Sequence, residues 1–313
     1  MSVRTRRARP RVRRGWELAL VAVAAVWGFT FTTVKEAVAH VPVFEFLALR
    51  FGLAAVLMTA VAWRQLRALA RPGWIAAVVA GATIFTGYAS QTVGLQHTTA
   101  TNAAFVTGLF VVIAPVLSVL YLKRRPGPGP ALGVALATVG LFLLSASHGF
   151  HLRYGDAIVL GAAVSFAVQL VIMAKAAPEH SPAALSAVQM WVTAVLATFT
   201  SLASEHLTAP THHDVVAGVL ITGVLASAGA FWAMTLAQRH VSPTRTAVIL
   251  VMEPVFAGIA GVVILSESLN PRQWAGAALI LAGMLVAELA PRREARESGE
   301  GIDRDAHAPP PQS

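Results

Sequence analysis

Between two long apolar runs, the stretch FTTVKEAVAHVPVFEFLALRFG (residues 31–52) keeps Lys35, Glu36, Glu45 and Arg50. An ionisable side chain inside an apolar span costs about 2.5 to 3.5 kcal/mol even on a lenient insertion scale, so each one asks for a partner or a task. At 1.5 Å of rise per residue, Lys35 lies roughly 6 Å and Arg50 roughly 10 Å below the same end of their spans, so the two cations can face one another. Trp27, Phe31 and Lys35 share one helical stripe, an aromatic face leading up to an ammonium. Tyr88, Gln91 and Asn102 reach the same level, and Lys175 and Arg245 the corresponding level toward the opposite end. Cationic and amide groups at both mouths would draw in a carboxylate or another anionic group and could act as gates. The bland alternatives are that Lys35 and Lys175 snorkel to headgroups with their stems along the helix, and that Arg50 pairs with Glu36 or Glu45.

Glu253 falls near the middle of its apolar run, directly before Pro254. Proline disfavours the helical conformation of the residue before it and removes the donor for the carbonyl four back, on Leu250, so a kink and a carboxylate coincide. Deep burial would favour the neutral acid, which suits a proton carrier if movement of a solute is proton-coupled. A protonated Glu253 could instead hydrogen-bond the freed backbone or a neighbouring helix.

Seven of the ten histidines (His40, His97, His148, His151, His206, His212 and His213) fall on one predicted side, and Asp214 adjoins the last pair. Imidazole and carboxylate suit zinc, nickel or cobalt. The spacing builds no formed motif, however: HExxH and CxxC are absent, as is every cysteine, so these histidines read as polar loop residues and no metal site is assigned. GxSxG, Walker A and a strand-borne GxGxxG are also missing, which argues against an enzyme, a nucleotide motor or a cofactor site.

The elements that carry these groups follow from composition. Hydrophobic residues make up 56% of the chain and charged ones 12%, with a mean hydropathy of +0.65; a soluble domain carries nearer a quarter charged residues. Ten runs are long enough to cross a hydrocarbon core, near residues 17–39, 43–63, 74–95, 99–122, 130–147, 155–175, 183–204, 215–238, 243–265 and 271–290. Lacking the short alternating pattern of a barrel, they predict an all-α polytopic membrane protein. The basic start with its AVA triplets imitates a secretory signal, but its apolar segment is too long, and the reading is an uncleaved first helix.

Twenty of the 24 lysines and arginines fall in alternate connections that include both termini. The positive-inside rule then predicts cytoplasmic termini and an inner, cytoplasmic-membrane location. The net charge of +9 matches anionic lipid at that face, not nucleic acid. Residues 291–313 alternate charges and end in HAPPPQS, which reads as a disordered tail.

Residues 97–140 match residues 240–283 at a constant offset of 143, with 12 identities in 44 positions; Pro128 with Pro271, Gly133 with Gly276 and Gly140 with Gly283 are the informative ones. AAVWGFTFTTVKEA at 24–37 parallels AAVSFAVQLVIMAKAA at 162–177 less cleanly. The unit is five helices, and because five is odd the second copy must enter the membrane from the other side. Two inverted halves that can exchange conformations around a mid-membrane site are the physical basis of alternating access. The glycines and Ala137 read as sites of close helix approach, which could also serve a homodimer.

WGFTFTTVK at 27–35 and LALRFGLAAV at 47–56 resemble the opening of the EamA domain of the drug/metabolite transporter superfamily. SPTRTAVILVMEPVFAGIAGVVILSESLNPRQWAGAALILAGMLV at 242–286, with its Glu-Pro pair, Glu267 and two glycines, resembles that domain's last two helices, and TTATNAAFVTGLFVVIAP at 98–115 agrees. The resemblance covers residues 17–290 and implies a ten-helix permease, an exporter of amino acids or other small organic metabolites. One departure stands out: opposite Glu267 the first half has Lys123, Arg124 and Arg125.

The sequence therefore predicts a basic N-terminus (1–16), two EamA-like repeats (17–147 and 155–290) and a cytoplasmic tail (291–313). Trp27, Phe31, Lys35, Arg50, Tyr88, Gln91, Asn102, Lys175 and Arg245 are the expected binding and gate residues, with Glu253 for proton coupling and Pro254 for the kink. The cavity is expected between helices 1, 3 and 4 and their counterparts 6, 8 and 9. The alternatives are a transition-metal transporter or sensor using the histidines, and a non-transporting receptor or scaffold.

Overall fold

The structure is a computed structural model, and it describes residues 10–98, 103, 106–123, 126–145, 154–204, 212–264 and 269–289. Among these, every regular element is helical. The helices are α1 (Pro10–Ala37), α2 (Val43–Arg67), α3 (Arg71–Leu95), α4 (Val106–Leu122), α5 (Pro128–Ser145), α6 (Tyr154–Ala176), α7 (Pro182–Ser204), α8 (His213–Ala237), α9 (Pro243–Leu250), α10 (Glu253–Ile264) and α11 (Pro271–Leu289). Prolines punctuate them: Pro128, Pro182, Pro243 and Pro271 each open a helix, where the missing N–H has no intrahelical partner to lose. Lys123 ends α4 in the left-handed region at φ 52°, and its amide donates back to the Ser118 carbonyl.

Seven helices among the described residues are long and apolar enough to cross a membrane, and Val106–Leu122 and Pro128–Leu143 are shorter apolar helices. α1 starts at Pro10, ahead of the span start expected at residue 17. The tail from 291 to 313 lies outside the described residues.

Large apolar side chains face outward at mid-helix, Val116 at 54% and Val195 at 44% exposure, as lipid-facing positions require. Phe46, Phe51, Leu141, Met190 and Ile280 fill the interior. The main packed pairs are α5 with α11, α2 with α7, and α3 with both α6 and α7, while α1 lies against α8, α9 and α10, and α4 against α6.

Glycine sets the closest approach. A Cβ on Gly133 would stand 2.6 Å from the Gly283 carbonyl oxygen, and one on Gly140 would stand 2.6 Å from that of Gly276. The glycines that match in sequence are thus not the ones that touch. Each touches the equivalent of the other.

Two interruptions share one hydrogen-bond pattern. In α4, Leu109 donates to the Val106 carbonyl, and the Leu109 carbonyl accepts from Val112 and Ile113. Between α9 and α10, Met252 donates to Ile249, and its carbonyl accepts from Val255 and Phe256. Leu109 and Met252 are 143 residues apart, the offset of the sequence repeat. α8 contains a π-helical segment, Thr222–Gly229, a departure that often re-aims side chains at functional sites.

Candidate functional site

α1, α2, α3, α4, α6, α8 and the α9–α10 break surround one cavity of about 830 Å³ of empty space, its mouth included. The wall is mostly apolar and aromatic. Its polar groups are Thr30, Arg50, Tyr88, Gln91, Thr92, Thr107, Gln169 and Glu253.

Arg50 is the cation in the cavity wall, 3% exposed. Its Nε donates to Ser227 Oγ at 2.7 Å, and Nη2 donates to the Tyr88 hydroxyl at a long 3.5 Å. The guanidinium lies 4.8 Å from the Tyr88 ring centroid and 5.1 Å from that of Phe51, cation–π contacts worth about 2 kcal/mol when desolvated. Tyr88 meets Phe51 and Phe166 edge-on at 5.2 Å. The cation therefore sits in an aromatic surround, and Glu253, at the start of α10, lines the same cavity.

The π segment supplies two anchors here. Ser227 takes the arginine, and the Ala226 carbonyl accepts the Trp27 indole N–H at 2.8 Å. Trp27 also packs against Phe231, with centroids 5.4 Å apart. Gln91 ties α3 to α4 by donating to Thr107 at 3.2 Å, and Gln169 donates to Gln189 at 2.9 Å. Glycine brings α1 onto the break: a Cβ on Gly28 would lie 2.7 Å from the Glu253 carbonyl oxygen and 2.6 Å from Phe256 Cβ.

Of the residues singled out in the sequence, Trp27, Arg50, Tyr88, Gln91 and Glu253 converge on this cavity. Pro254 is buried in the first turn of α10. Lys35 is exposed at the end of α1 and is not in the cavity wall. Lys175 is also exposed and borders a separate groove with Arg71, Tyr121 and Glu179. Arg245 turns toward α1, where its Nη1 lies 3.6 Å from Glu17 Oε1 with both side chains buried. The backbone of Phe31 is helical, but its side chain, together with Asn102, Glu267, Arg124, Arg125, His148, His151 and His206, lies outside the described residues. Arg50 takes Ser227 and Tyr88 as partners, where the sequence had suggested Glu36 or Glu45. Thr30, Thr107, Phe166, Gln169, Ser227 and Phe231 were not anticipated; Gln169 alone carried a signal, as an amide inside an apolar run.

At the end opposite the α1–α2 turn, Trp16 stacks on His240 at 5.4 Å, beside the Glu17–Arg245 pair. Arg239 donates to the carbonyls of Ala177 and His180 at 2.7 and 2.6 Å, tying two turns together. Partial burial lowers the Arg239 pKa, and burial with the neighbouring Arg239 charge lowers that of His240.

A cavity among apolar helices with outward-facing apolar surface is the build of a multi-pass membrane protein. The EamA-like transporter family matches the chain twice, over residues 14–146 and 153–288, and the chain belongs to that family. An uncharacterized transporter of Archaeoglobus fulgidus is 33% identical over 87% of this chain and 85% of its own length. The threonine/homoserine exporter RhtA of Escherichia coli K12 is 29% identical over 58% of this chain, a match spanning 61% of RhtA. A solved structure described as "Crystal structure of protein" has the same fold, with a TM-score of 0.75 at 19% identity over 88% of this chain and 96% of that one. These named relatives are transporters, not enzymes.

Proposed function

We propose that the chain is a secondary exporter of small organic metabolites such as amino acids, working by alternating access across the cytoplasmic membrane with both termini inside. The reading rests on one observation: Arg50 of the first half and Glu253 of the second face the same largely apolar cavity. A zwitterionic solute needs a fixed cation for its carboxylate and an acceptor for its ammonium, and those two groups offer both. The similarity to a threonine/homoserine exporter supports the substrate class.

Ten spans in two inverted five-helix repeats, residues 17–147 and 155–290, is the architecture this function asks for. Its supports are the double family match, the crossed glycine contacts and the paired interruptions at Leu109 and Met252. Glycines that each touch the other's equivalent are what a two-fold axis between α5 and α11 produces. Glu253 is the coupling acid in this scheme, exchanging a proton as the cavity changes sides. The Glu17–Arg245 pair, joining α1 to α9, is the closure at the cytoplasmic end. The histidines do not lie in the cavity wall among the described residues, so metal as cargo is the weaker reading.

Counterflow of radiolabelled threonine, homoserine and other small amino acids into proteoliposomes, with and without a pH gradient, tests the proposal. At least one should accumulate, faster with the gradient, and Glu253→Gln should abolish the gradient's effect. No counterflow of any of them would contradict the substrate class, and a pH response surviving Glu253→Gln would remove the carboxyl's role.

A further inference from the structure

His40 lies in the turn between α1 and α2, and His212 immediately precedes α8, 172 residues later. In the folded chain their rings stack with centroids 4.0 Å apart and planes 13° from parallel. Asp214, in the first turn of α8, lies 3.2 Å from His212 Nδ1, and its other oxygen is 2.8 Å from His213 Nε2. One ligand atom each from His40, His212 and Asp214 lies within 4.8 Å of the others. Ligands around a four-coordinate zinc ion stand a little over 3 Å apart, given bonds of about 2.0 to 2.1 Å, so the ligand atoms are near enough to share one ion once the two rings turn out of their stack to bring their in-plane nitrogen lone pairs together.

We propose that His40, His212 and Asp214 form a binding site for a divalent transition metal of the zinc type, linking the α1–α2 turn to the start of α8. Two imidazoles and a carboxylate select zinc, nickel or cobalt over magnesium or calcium, which take oxygen ligands. All three side chains are at least partly exposed, so a metal can enter and water can complete the coordination. His213 holds the second carboxylate oxygen and orients it, the part an outer-shell partner plays.

The underlying contact is already tight. A Cβ on Gly218 of α8 would meet Ala37 of α1 at 2.9 Å and Phe46 of α2 at 3.4 Å. A bound ion would staple this corner, outside the cavity wall. The ion is a structural ligand of the protein, not a solute in transit.

The test uses full-length protein in detergent, freed of any polyhistidine tag and titrated with zinc against a chromophoric chelator, so no transport is involved. The structure predicts one zinc per chain and a zinc-dependent rise in unfolding temperature. His40→Ala and His212→Ala should each weaken binding by roughly tenfold or more and remove that rise, whereas His97→Ala, an exposed histidine elsewhere, should change neither. Unfolding without zinc identifies any variant that has lost its fold, and cobalt loading of the wild type gives a second reading through the visible spectrum of a low-coordinate site. Absence of stoichiometric zinc and cobalt binding by the wild type would overturn the proposal, as would binding that survives His40→Ala and His212→Ala combined.

Discussion

Arg50 shows how one side chain is both costly and useful in an apolar interior. Its charge is offset by Ser227 and by two aromatic faces, which leaves a cation poised at a cavity wall. Arg50→Gln should reduce transport at least roughly tenfold, equivalent to about 1.4 kcal/mol. Arg50→Lys should recover part of it, since it keeps the charge but not the planar fork. Ser227→Ala should lower stability by about 1.5 to 3 kcal/mol, the range for a hydrogen bond to a charged group; initial counterflow rates and thermal unfolding on the same preparations check all three. Normal transport in Arg50→Gln would show that the guanidinium is structural. The depth of Arg50 was legible in the sequence because hydropathy marks the span. Its main partner was not, since Ser227 is 177 residues away and one serine among TGVLASAG has no pattern to single it out.

The helices meet where glycine removes the Cβ, α3 against α6 at Gly87 and Gly94, α1 against the α9–α10 break at Gly28, and α5 against α11 at Gly133 and Gly140. Gly28→Val and Gly140→Val each force a branched side chain onto backbone atoms under 3 Å away. Each should destabilise by about 1 to 3 kcal/mol, as overpacking does, and Gly28→Val should also stop transport because it pushes α1 off the Glu253 carbonyl. Gly52→Ala, with nothing within 4 Å of the added Cβ, should leave the unfolding temperature and flux unchanged. If the Gly28 and Gly140 variants matched Gly52→Ala in both measurements, the close-approach account would fail. The sequence announced the glycines and Pro254 because each leaves a compositional mark. It did not single out Leu109, which interrupts α4 directly after Gly108, nor the π segment of α8, although Gly223 and Gly229 lie within it, because isolated glycines in an apolar span are as consistent with close helix packing as with a break. It also could not say that Gly133 meets Gly283 instead of Gly276, because pairing between distant helices is decided by tertiary packing.

At the scale of the whole molecule, the EamA-like transporter family matches the chain over residues 14–146 and 153–288, residues of both ranges line the cavity, and the proposed function turns on that cavity opening to each side in turn. Membrane class was readable from hydropathy, and the 143-residue offset of the sequence is matched in the fold by the paired interruptions at Leu109 and Met252. The convergence of Trp27, Arg50, Tyr88, Gln91 and Glu253 needed the fold, as did the departure of Lys35, Lys175 and Arg245 from the cavity. The lack of native cysteine permits a direct test with single cysteines at Thr30 and Gln169, both in the cavity wall. Labelling by a membrane-impermeant maleimide would be followed in right-side-out and inside-out vesicles while the pH and substrate gradients are reversed. The account predicts that both positions react from either face, with the favoured face switching as the gradients switch; reaction from one face alone under every gradient would contradict it.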